Sequence, residues 1–340
     1  MSKRVTLSDV ASRAGVSAKT VSRALNGAPY VSEALRERIE RIVEELDYHP
    51  NVAAQSLAAR RSFLIGLTYE RPSPSYVVEL QKGAIERLES ERYRLVVLPF
   101  SDVSQRKDDL ARHLQRTGLD AAILAPPAAD QRELLDVLES RRIRYARITP
   151  HEEVNRGIVA TTDERAGARA IADHLLRLGH RRIGIIKGDP SHQASRTRME
   201  GYEQAFSDHG LRVPEDLIAQ ADFTFQTGHE AAMRLLDRAR LPTAILAQND
   251  DMAVAAMAAA REIGLRIPED ISVVGYDDSE VSRTAWPQLT TIHQPVREMV
   301  WDATDRLLAS LEDSDAGQLH ESREHPFRLL VRASTGAPHS

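Results

Sequence analysis

From residue 63 onward, short apolar segments alternate with helical segments, and this alternation limits the chain to few folds. Segments such as "FLIGLTY", "RLVVLPF" and "AAILAPP" resemble strands, and a second cycle beginning near Asp163 repeats the pattern through "RIGIIKG", "TAILAQ" and "ISVVGYDD". Strands that alternate with helices form parallel sheets. The segment is long enough for two open α/β domains. Neither opens with a G-x-G-x-x-G or Walker loop, which argues against dinucleotide or ATP chemistry.

The first fifty residues have a different pattern, which predicts three short helices. Apolar residues at helical spacing begin at Leu7, and Gly15 provides a turn after them. A second helix begins after Ser17, and a third runs from Ser32 until Pro50 stops it. Helix, glycine-containing turn and second helix together form the arrangement of a helix-turn-helix.

The charge of the chain is divided unevenly between this helical region and the rest. Residues 1–31 carry five lysine and arginine residues against one aspartate, a net charge of +4, which leaves −9 for the remainder. A basic N-terminal region followed by an acidic remainder indicates that the N-terminal region binds a polyanion. A solvated basic terminus would have the same composition. The chain has no cysteine, no apolar signal segment at its start and no apolar run long enough to span a membrane. We therefore expect a cytoplasmic protein with no membrane contact.

The second helix carries side chains that can contact DNA bases and phosphates. With Val21 and Leu25 facing inward, its outward residues are Ala18, Lys19, Ser22, Arg23 and Asn26. Arg23 can bond bidentately to guanine, Lys19 can reach guanine or phosphate, and Ala18 can contact a thymine methyl group. The short polar side chains suit phosphate oxygens, which set register rather than sequence; they belong to Thr6, Ser17, Ser22 and Asn26. A small helical bundle that binds a protein is the alternative interpretation.

Ordered motifs run along nearly the whole chain. The first is "VTLSDVASRAGVSAKTVSRALNG" in the helical region, and "GHRRIGIIKG", "SRTRMEGY", "PTAILAQNDDMA", "IPEDISVVGYDD" and "FRLLVRAST" follow it. Together they closely resemble the lac/gal repressor (LacI/GalR) family. The resemblance implies an N-terminal all-α helix-turn-helix headpiece with a hinge helix. It also implies an α/β core of two doubly wound parallel-sheet subdomains, similar to periplasmic binding proteins.

The resemblance also implies where the domains divide. We expect the DNA-binding headpiece at residues 1–50, the hinge helix or linker at 51–62, and the effector-binding and dimerisation core at 63–340. The core is expected to comprise an N-subdomain of about residues 63–162 and 292–325, and a C-subdomain of about residues 163–291 and 326–336.

The segment "NVAAQSLAARRS" at 51–62 has few large apolar residues and is marginal as an isolated helix. In the family this segment folds when two copies pair over the operator, and a leucine from each copy wedges into the minor groove. Leu57 occupies that position here; without the resemblance it would be interpreted as a small core contact. Ala53 and Ala54 are small enough to let paired helices or backbone approach closely. The other candidate DNA contacts are Tyr30, Ser32 and Asn51.

Polar residues follow several predicted strands of the core. Arg198 enters a helix after the strand "GIIKG", Asn249 follows "TAILAQ", and Asp277 follows "SVVGY". Ligands of open α/β sheets bind at the carboxyl ends of strands, and these side chains can bond the vicinal hydroxyls of a sugar. Each also has a structural interpretation, as a surface charge, a helix N-cap and a turn residue respectively. All three match effector-contacting positions of the family, Phe223 matches an aromatic that can stack on the ligand, and Tyr76 is a further candidate.

The other side of the predicted cleft departs from the family pattern. Many sugar-sensing relatives have an aspartate after the strand corresponding to "YARITP", where this chain has Thr149 or Pro150 beside Arg147. The departure leaves the class of effector open.

These features predict a transcriptional repressor rather than an enzyme. The resemblance implies a homodimer on a pseudo-palindromic double-stranded DNA operator, associated with the nucleoid when bound, and a small-molecule effector, a sugar or sugar derivative, between the core subdomains. No catalytic pair or cofactor motif is found, and "HESREH" (320–325), expected in a polar loop, lacks the H-E-x-x-H spacing of a zinc site. We therefore expect no cofactor and no metal. The alternatives are an exported solute-binding protein with the same core and a sugar-processing enzyme.

Overall fold

The computed structural model describes residues 5–25, 30–48, 61–70, 73–100, 112, 116, 118–312 and 318–338. The chain divides into two compact units, Met1–Ser62 and Phe63–Ser340, and each is described by itself. The hinge helix expected at 51–62 lies almost entirely outside the described residues. The alternation of strands and helices also predicts a helix over 105–116, of which only residues 112 and 116 are described.

The described part of the first unit contains three helices, as predicted. They are α1 (Leu7–Ala14), α2 (Ala18–Leu25) and α3 (Glu33–Glu45). α1 ends at Gly15, whose φ of +66° lies in the left-handed region that glycine adopts without strain. The helices bury one shared cluster formed by Val10, Ala11, Ala14, Val21, Ala24, Ile39, Ile42 and Tyr48. Because α2 buries Val21 and Ala24, its polar side faces solvent.

The first sheet of the core combines strands from both ends of the core sequence. Its strands are β1 (Leu64–Glu70), β2 (Arg94–Phe100), β3 (Ala121–Leu124), β4 (Arg144–Ile148), β5 (Ile158–Thr161) and, much later in the chain, β11 (Glu321–Glu324). Among the described strands all neighbours are parallel, in the order β2-β1-β3-β4-β5-β11. The chain reverses its direction across the sheet between β1 and β3, and such a reversal opens a crevice at the carboxyl ends of the strands.

Helices cover both faces of the first sheet. They are α4 (Pro74–Leu88), α5 (Arg132–Ser140) and α11 (Val296–Glu312), with a short 3₁₀ turn at Ala128–Asp130. α4 and α11 approach so closely that a Cβ atom at Gly83 would lie 2.4 Å from the carbonyl oxygen of Arg297. We call the first sheet with α4, α5 and α11 the N-subdomain.

The second sheet repeats this design with fewer strands. Its described strands are β6 (Ile183–Lys187), β7 (Ile218–Gln220), β8 (Ala244–Ala247) and β9 (Ser272–Val274), all parallel in the order β7-β6-β8-β9. Its helices are α6 (Glu164–Arg177), α7 (Gln193–Asp208), α8 (Phe225–Leu236), α9 (Asp250–Glu262) and the short α10 (Glu280–Thr284), and a 3₁₀ turn spans Glu215–Leu217. We call this assembly the C-subdomain.

A small antiparallel pair lies beside the second sheet. It consists of β10 (Thr291–His293) and β12 (Arg328–Leu330). Ile292 of β10 is buried in the cluster formed by α6 and α7, and His293 bridges to Asp277. Within the described residues, the chain therefore crosses between the subdomains three times: from β5 to α6, from β10 to α11, and from β11 to β12. We call these connections the hinge segments.

One local expectation is wrong. "HESREH" was expected in a polar loop, yet Glu321–Glu324 forms the edge strand β11, parallel to β5. All four residues are exposed, so no buried side chain distinguishes this strand from a loop. The backbone ladder with β5 holds it in place instead.

Candidate functional sites

The candidate DNA-reading surface is the exposed side of α2. Lys19 and Arg23 are both exposed and four residues apart, so their charges lie on one side of the helix. The Ser17 hydroxyl accepts the backbone N–H of Thr20 at 3.1 Å and lies 2.8 Å from the Thr20 hydroxyl. Ser17 therefore caps the start of α2, as predicted, and fixes the orientation of this face. Ser22 lies half-buried on the same helix.

The other predicted DNA contacts lie in different settings. The backbone N–H and hydroxyl of Thr6 both donate to the Asp9 carboxylate, at 2.8 and 2.7 Å, so Thr6 holds the start of α1. Ala18 is half-buried against the headpiece cluster, whereas Tyr30 is 92% exposed. Ser32 is exposed at the N-cap of α3. The remaining predicted contacts lie outside the described residues: Asn26, Asn51, Ala54 and Leu57.

A cavity lies between the N- and C-subdomains, where strands of both sheets end. Its empty volume is about 490 Å³, including space open to solvent. It is lined by Ser73, Tyr76, Pro126, Thr149, Glu164, His192, Ala194, Arg198, Phe223, Asn249, Asp277 and Gln294. The lining includes all five predicted effector contacts, which are Tyr76, Arg198, Phe223, Asn249 and Asp277. Residues from separate strand ends thus meet in one cavity, and their contact with an effector stays a prediction.

Arg198 on α7 is a buried cation of this cavity. Its Nε and Nη2 donate to Glu164 Oε1 at 3.1 and 2.6 Å, and Nη2 also donates to Gln294 Oε1 at 3.3 Å. Nη1 donates to the carbonyl oxygen of Gln248. The guanidinium lies 3.9 Å from the ring centroid of Tyr276, a cation–π contact. Burial opposes the charge, but the facing carboxylates keep the pKa of Arg198 above its ordinary value.

Glu164, the first residue of α6, joins Arg198 to a second cation. Its Oε2 lies 2.9 Å from His151 Nε2, and the Asp130 carboxylate lies 3.6 Å from His151 Nδ1. Burial would raise the pKa of Glu164, but Arg198 and His151 lower it to about 2. Burial would lower the pKa of His151, but the two carboxylates raise it to about 9. Asp130, His151, Glu164 and Arg198 therefore form a row of alternating charges, which we call the charge row.

Asp277 carries the unpaired acceptor of the cavity. Its Oδ1 is buried, accepts no hydrogen bond from the protein and lies 3.8 Å from Arg198 Nη2. Its φ of +121° is rare for a residue with a side chain, and such strain concentrates at functional sites. Burial raises the pKa of Asp277; Arg198 opposes the increase and nearby Asp250 adds to it. A buried oxygen without a donor calls for one, and a ligand hydroxyl in the cavity can supply it.

An aromatic wall closes the C-subdomain side. The ring of Phe223 lies 5.6 Å from the ring of His192 and is almost fully buried. A Cβ atom at Gly188 would lie 2.1 Å from the Phe223 ring, so only glycine leaves room for it. Asn249 caps α9 by accepting the N–H of Met252 at 2.9 Å, while its Nδ2 donates to the Phe223 carbonyl oxygen at 2.9 Å. Asn249 therefore has the N-cap role and the lining position together.

The N-subdomain side is formed differently from the family pattern. Thr149 and Tyr76 line the cavity, and burial raises the pKa of Tyr76. Arg147 is fully buried and points away, because its guanidinium donates to the carbonyl oxygens of Ala129, Glu152, Glu153 and Arg156. The cation beside Thr149 thus secures a loop and is not part of the cavity lining.

Several lining residues were not predicted from the sequence. Two of them lie at hinge segments: Gln294 is within one, and Glu164 begins α6 directly after another. Glu164 follows β5 and Gln294 follows β10, so the rule that ligands bind at strand ends would have reached both. The others, apart from Thr149, are Ser73, Pro126, His192 and Ala194. These four follow β1, β3 and β6 within loops or first helical turns, and their residue types carry no distinctive signal.

Comparison with known proteins identifies the family. Residues 6–51 match the model of bacterial regulatory proteins of the lacI family, and residues 172–335 match a periplasmic binding protein-like domain. The HTH-type transcriptional regulator DegA of Bacillus subtilis (strain 168) is 34% identical over 334 residues, 98% of each protein. The chain belongs to the LacI family. The predicted headpiece and two-part α/β core are therefore confirmed as the fold of a LacI-family transcriptional regulator.

Solved structures resemble this LacI-family regulator over nearly its whole length. The lac repressor dimer bound to operator and the anti-inducer ONPF has a TM-score of 0.82 at 30% identity, covering 98% of this chain and 100% of that one. A complex of the transcriptional regulator CelR with cellobiose has a TM-score of 0.71 at 29% identity, covering 97% and 100%. In the described part of the regulator, no helix is both long and apolar enough to cross a membrane.

Proposed function

We propose that this LacI-family regulator is a repressor whose operator affinity is set by a sugar or sugar derivative bound in the cavity. One observation carries the proposal: at the cavity wall, Arg198 bonds Gln294, which lies on one hinge segment, and Glu164, which begins α6 directly after another. A ligand that bonds these side chains therefore acts where the angle between the subdomains is set. Ligands change conformational equilibria through such differential contacts.

The chemistry of the lining favours a polyhydroxylated ligand. Asp277 offers an unpaired acceptor, Arg198 and Asn249 supply donors, and Phe223 supplies an apolar face on which a sugar ring can stack. The related CelR structure holds cellobiose, and a lac repressor structure holds ONPG in its repressed state. These complexes support the assignment of a sugar-type effector to this chain.

The DNA side of the proposal rests on α2 and on two-fold symmetry. The proposed base contacts are Arg23, Lys19 and Ala18, and the proposed minor-groove wedge is Leu57. The residues proposed to position the headpiece through the DNA backbone are Thr6, Ser17, Ser22, Asn26, Tyr30, Ser32, Asn51 and Ala54. A single headpiece reads few base pairs, so we propose a homodimer on a pseudo-palindromic operator in the cytoplasm. We retain the proposed division into headpiece 1–50, hinge 51–62 and core 63–340. Cleft closure would then change the spacing of the paired hinge helices.

The competing function is solute binding for uptake, since periplasmic binding proteins share the core. The basic headpiece, which matches the lacI-family model, argues against it. The relatives named above are transcriptional regulators, and we propose no catalytic activity, cofactor or metal for this chain.

The deciding experiment is an electrophoretic mobility shift assay with genomic fragments, with and without a panel of sugars. We expect a sequence-selective shift that weakens with rising salt, because phosphate contacts release counterions. At least one sugar should change the shift; weakening identifies an inducer and strengthening a corepressor. A chain that shifts no fragment selectively under any of these conditions is not a repressor.

The cavity is tested by Asp277→Ala. Removing the unpaired acceptor should abolish the sugar effect on the operator complex while leaving binding without sugar unchanged. Asp237→Ala, an exposed residue at the end of α8, is the control. A normal sugar response in the Asp277 variant would remove this residue from the effector site.

A further inference from the structure

The buried charges of the cavity bear on which sugars it accepts. We propose that Glu164 makes the cavity selective for uncharged polyhydroxyl ligands and excludes carboxylated ones such as uronates. The inference rests on the proposed function, since it names the chemical class of the effector for the same cavity. It concerns a residue that none of the sequence motifs identified, and it follows from how the donors of Arg198 are used.

Arg198 has little bonding capacity left for a ligand carboxylate. A guanidinium has five N–H donors and binds a carboxylate best through two parallel ones. The Nε donor and one Nη2 donor bond Glu164, the second Nη2 donor bonds Gln294, and one Nη1 donor bonds the Gln248 carbonyl oxygen. One Nη1 donor remains, which suits a single hydroxyl oxygen. Bidentate binding of a carboxylate therefore requires one of the present partners, Glu164 or Gln294, to leave, and the anion would then lie beside any Glu164 carboxylate that stays.

The other cations near the cavity are also engaged. His151 is held between Glu164 and Asp130, and Arg147 is bonded to backbone carbonyl oxygens away from the lining. Burial lowers the pKa of His192, so this ring is neutral at neutral pH. A ligand carboxylate would also lie near the ionised Glu164, which repels it. Among the described lining residues, one N–H of Arg198 is therefore the only donor on a cation that is free to bond a ligand. The other groups that can contact the ligand are neutral or accept hydrogen bonds.

Removing the charge of Glu164 should reverse this preference. Glu164→Gln keeps the size of the side chain but removes the carboxylate that Arg198 bonds at 2.6 Å. The nearest acidic group left to this buried cation is Asp277, 3.8 Å away, whose pKa is raised by burial. A buried charge without a partner is unfavourable, and an entering anion relieves it. The variant should therefore gain affinity for carboxylates while losing stability in their absence. Glu200→Gln is the matched control, because Glu200 lies two residues from Arg198 on α7 but forms its ion pair with Arg165 at the surface.

The test compares full-length wild type, Glu164→Gln and Glu200→Gln by thermal melting in sodium chloride and in sodium acetate at equal ionic strength. Acetate is the probe because it carries the carboxylate alone. We expect acetate in place of chloride to raise the melting temperature of Glu164→Gln by about 2–4 °C more than it raises that of the other two proteins, which share only the general effect of the salt. Calorimetry with glucose and glucuronate, and with galactose and galacturonate, adds the sugars. The uronate-to-neutral affinity ratio should rise on the order of tenfold or more in Glu164→Gln.

Any of three results overturns the proposal: wild type gains as much stability from acetate as Glu164→Gln does, wild type binds a uronate more tightly than its neutral partner, or Glu164→Gln responds to acetate no more than Glu200→Gln. If Glu164→Gln does not fold in either salt, the double variant Glu164→Gln/Arg198→Gln decides. It should fold, because both partners of the buried pair are gone. If it also fails to fold, Glu164 has a purely structural role and the proposal falls. None of these melting results depends on operator binding, so a failure of the repressor assignment is seen separately in the mobility shift assay.

Discussion

Arg23 is the residue on which base discrimination by the headpiece should depend most. It is exposed on α2, and a guanidinium that bonds guanine bidentately discriminates against other bases by about 1–3 kcal/mol. Arg23→Ala should therefore relax the preference at one position of each half-site, as measured by mobility shift on a set of operators with single base changes. Arg41→Ala, exposed on α3, is the control. An equal loss of affinity on every operator would mean that Arg23 contacts only phosphate.

His151 should make the stability of the core depend on pH. Burial opposes its protonation, but the carboxylates of Glu164 and Asp130 raise its pKa from 6.5 to about 9. Because the folded-state value exceeds the unfolded one, this stabilisation is complete below pH 6.5 and is lost as pH rises through about 9. The shift corresponds to about 3 kcal/mol at the low-pH end. Urea unfolding of wild type and His151→Gln should show a difference that shrinks over this interval.

The control for this pH dependence is His229→Gln. His229 pairs with Glu262 at 2.9 Å on the surface, away from the charge row. It should show no comparable convergence with wild type. The difference in the free energy of unfolding between wild type and His151→Gln could instead stay constant from pH 6.5 to above pH 9. That result would show that the carboxylates of Glu164 and Asp130 do not stabilise protonated His151.

The sequence was sufficient to predict the cavity residues that follow strands, and insufficient for those defined by pairing. Asn249 and Asp277 could be placed because strand ends of parallel sheets meet at one edge. Glu164 also follows a strand, β5, but its role could not be predicted, because that role depends on a contact with Arg198, 34 residues away along the chain. Thr6 shows the opposite case, since its hydroxyl suits phosphate but donates to Asp9 in the folded headpiece. The residue type limits which hydrogen-bond partners a side chain can have, and only the fold shows which of those partners are close enough to bond.

At the scale of elements, α6 and α7 are packed through a glycine. A Cβ atom at Gly201 would lie 2.4 Å from the carbonyl oxygen of Arg165 and 2.8 Å from the Cβ atom of Ala168. Backbone cannot move aside as a flexible side chain can, so Gly201→Ala should destabilise the core by about 1–3 kcal/mol. Chemical denaturation of the variant measures this. Since α7 carries Arg198, the affinity for effector should fall as well.

Glu203→Ala separates this packing effect from helix propensity. Glu203 lies on the exposed side of α7, where alanine meets no neighbour. The control should unfold within about 0.5 kcal/mol of wild type. If Gly201→Ala is as stable as the control, the two helices are not held at the distance that the structure shows.

The elements themselves were largely predictable, and the exceptions share a physical cause. After the strand-like segment "TAILAQ", the sequence predicts a helix over 250–262, and the structure has α9 at Asp250–Glu262. β11 was not predicted, because four exposed residues at a sheet edge carry no burial pattern. The antiparallel pairing of β10 with β12 joins segments separated by more than thirty residues, so local periodicity does not reveal it.

At the scale of the whole molecule, a homodimer should require two half-sites at one spacing. Two headpieces joined through their cores can reach both half-sites only when these lie on the same face of the DNA. Inserting about 5 bp, half a helical turn, between the half-sites should lower affinity to that of a single half-site. Mobility shift with the natural, spaced and single-site fragments measures this. Equal affinity for natural and spaced fragments would indicate independent binding of each headpiece.

The bonds from Arg198 to Glu164 and Gln294, which lie where the chain crosses between the subdomains, have a mechanical consequence. A group that lies close to an axis of rotation moves little when the parts turn, while points far from that axis sweep a long arc. A ligand that changes the distances between Arg198, Glu164 and Gln294 by a fraction of an ångström therefore turns one subdomain relative to the other. This rotation displaces the outer edges of the subdomains by a much larger distance. Effectors that differ by one methylene group should then produce different outputs even when they fill the same cavity and make the same hydrogen bonds.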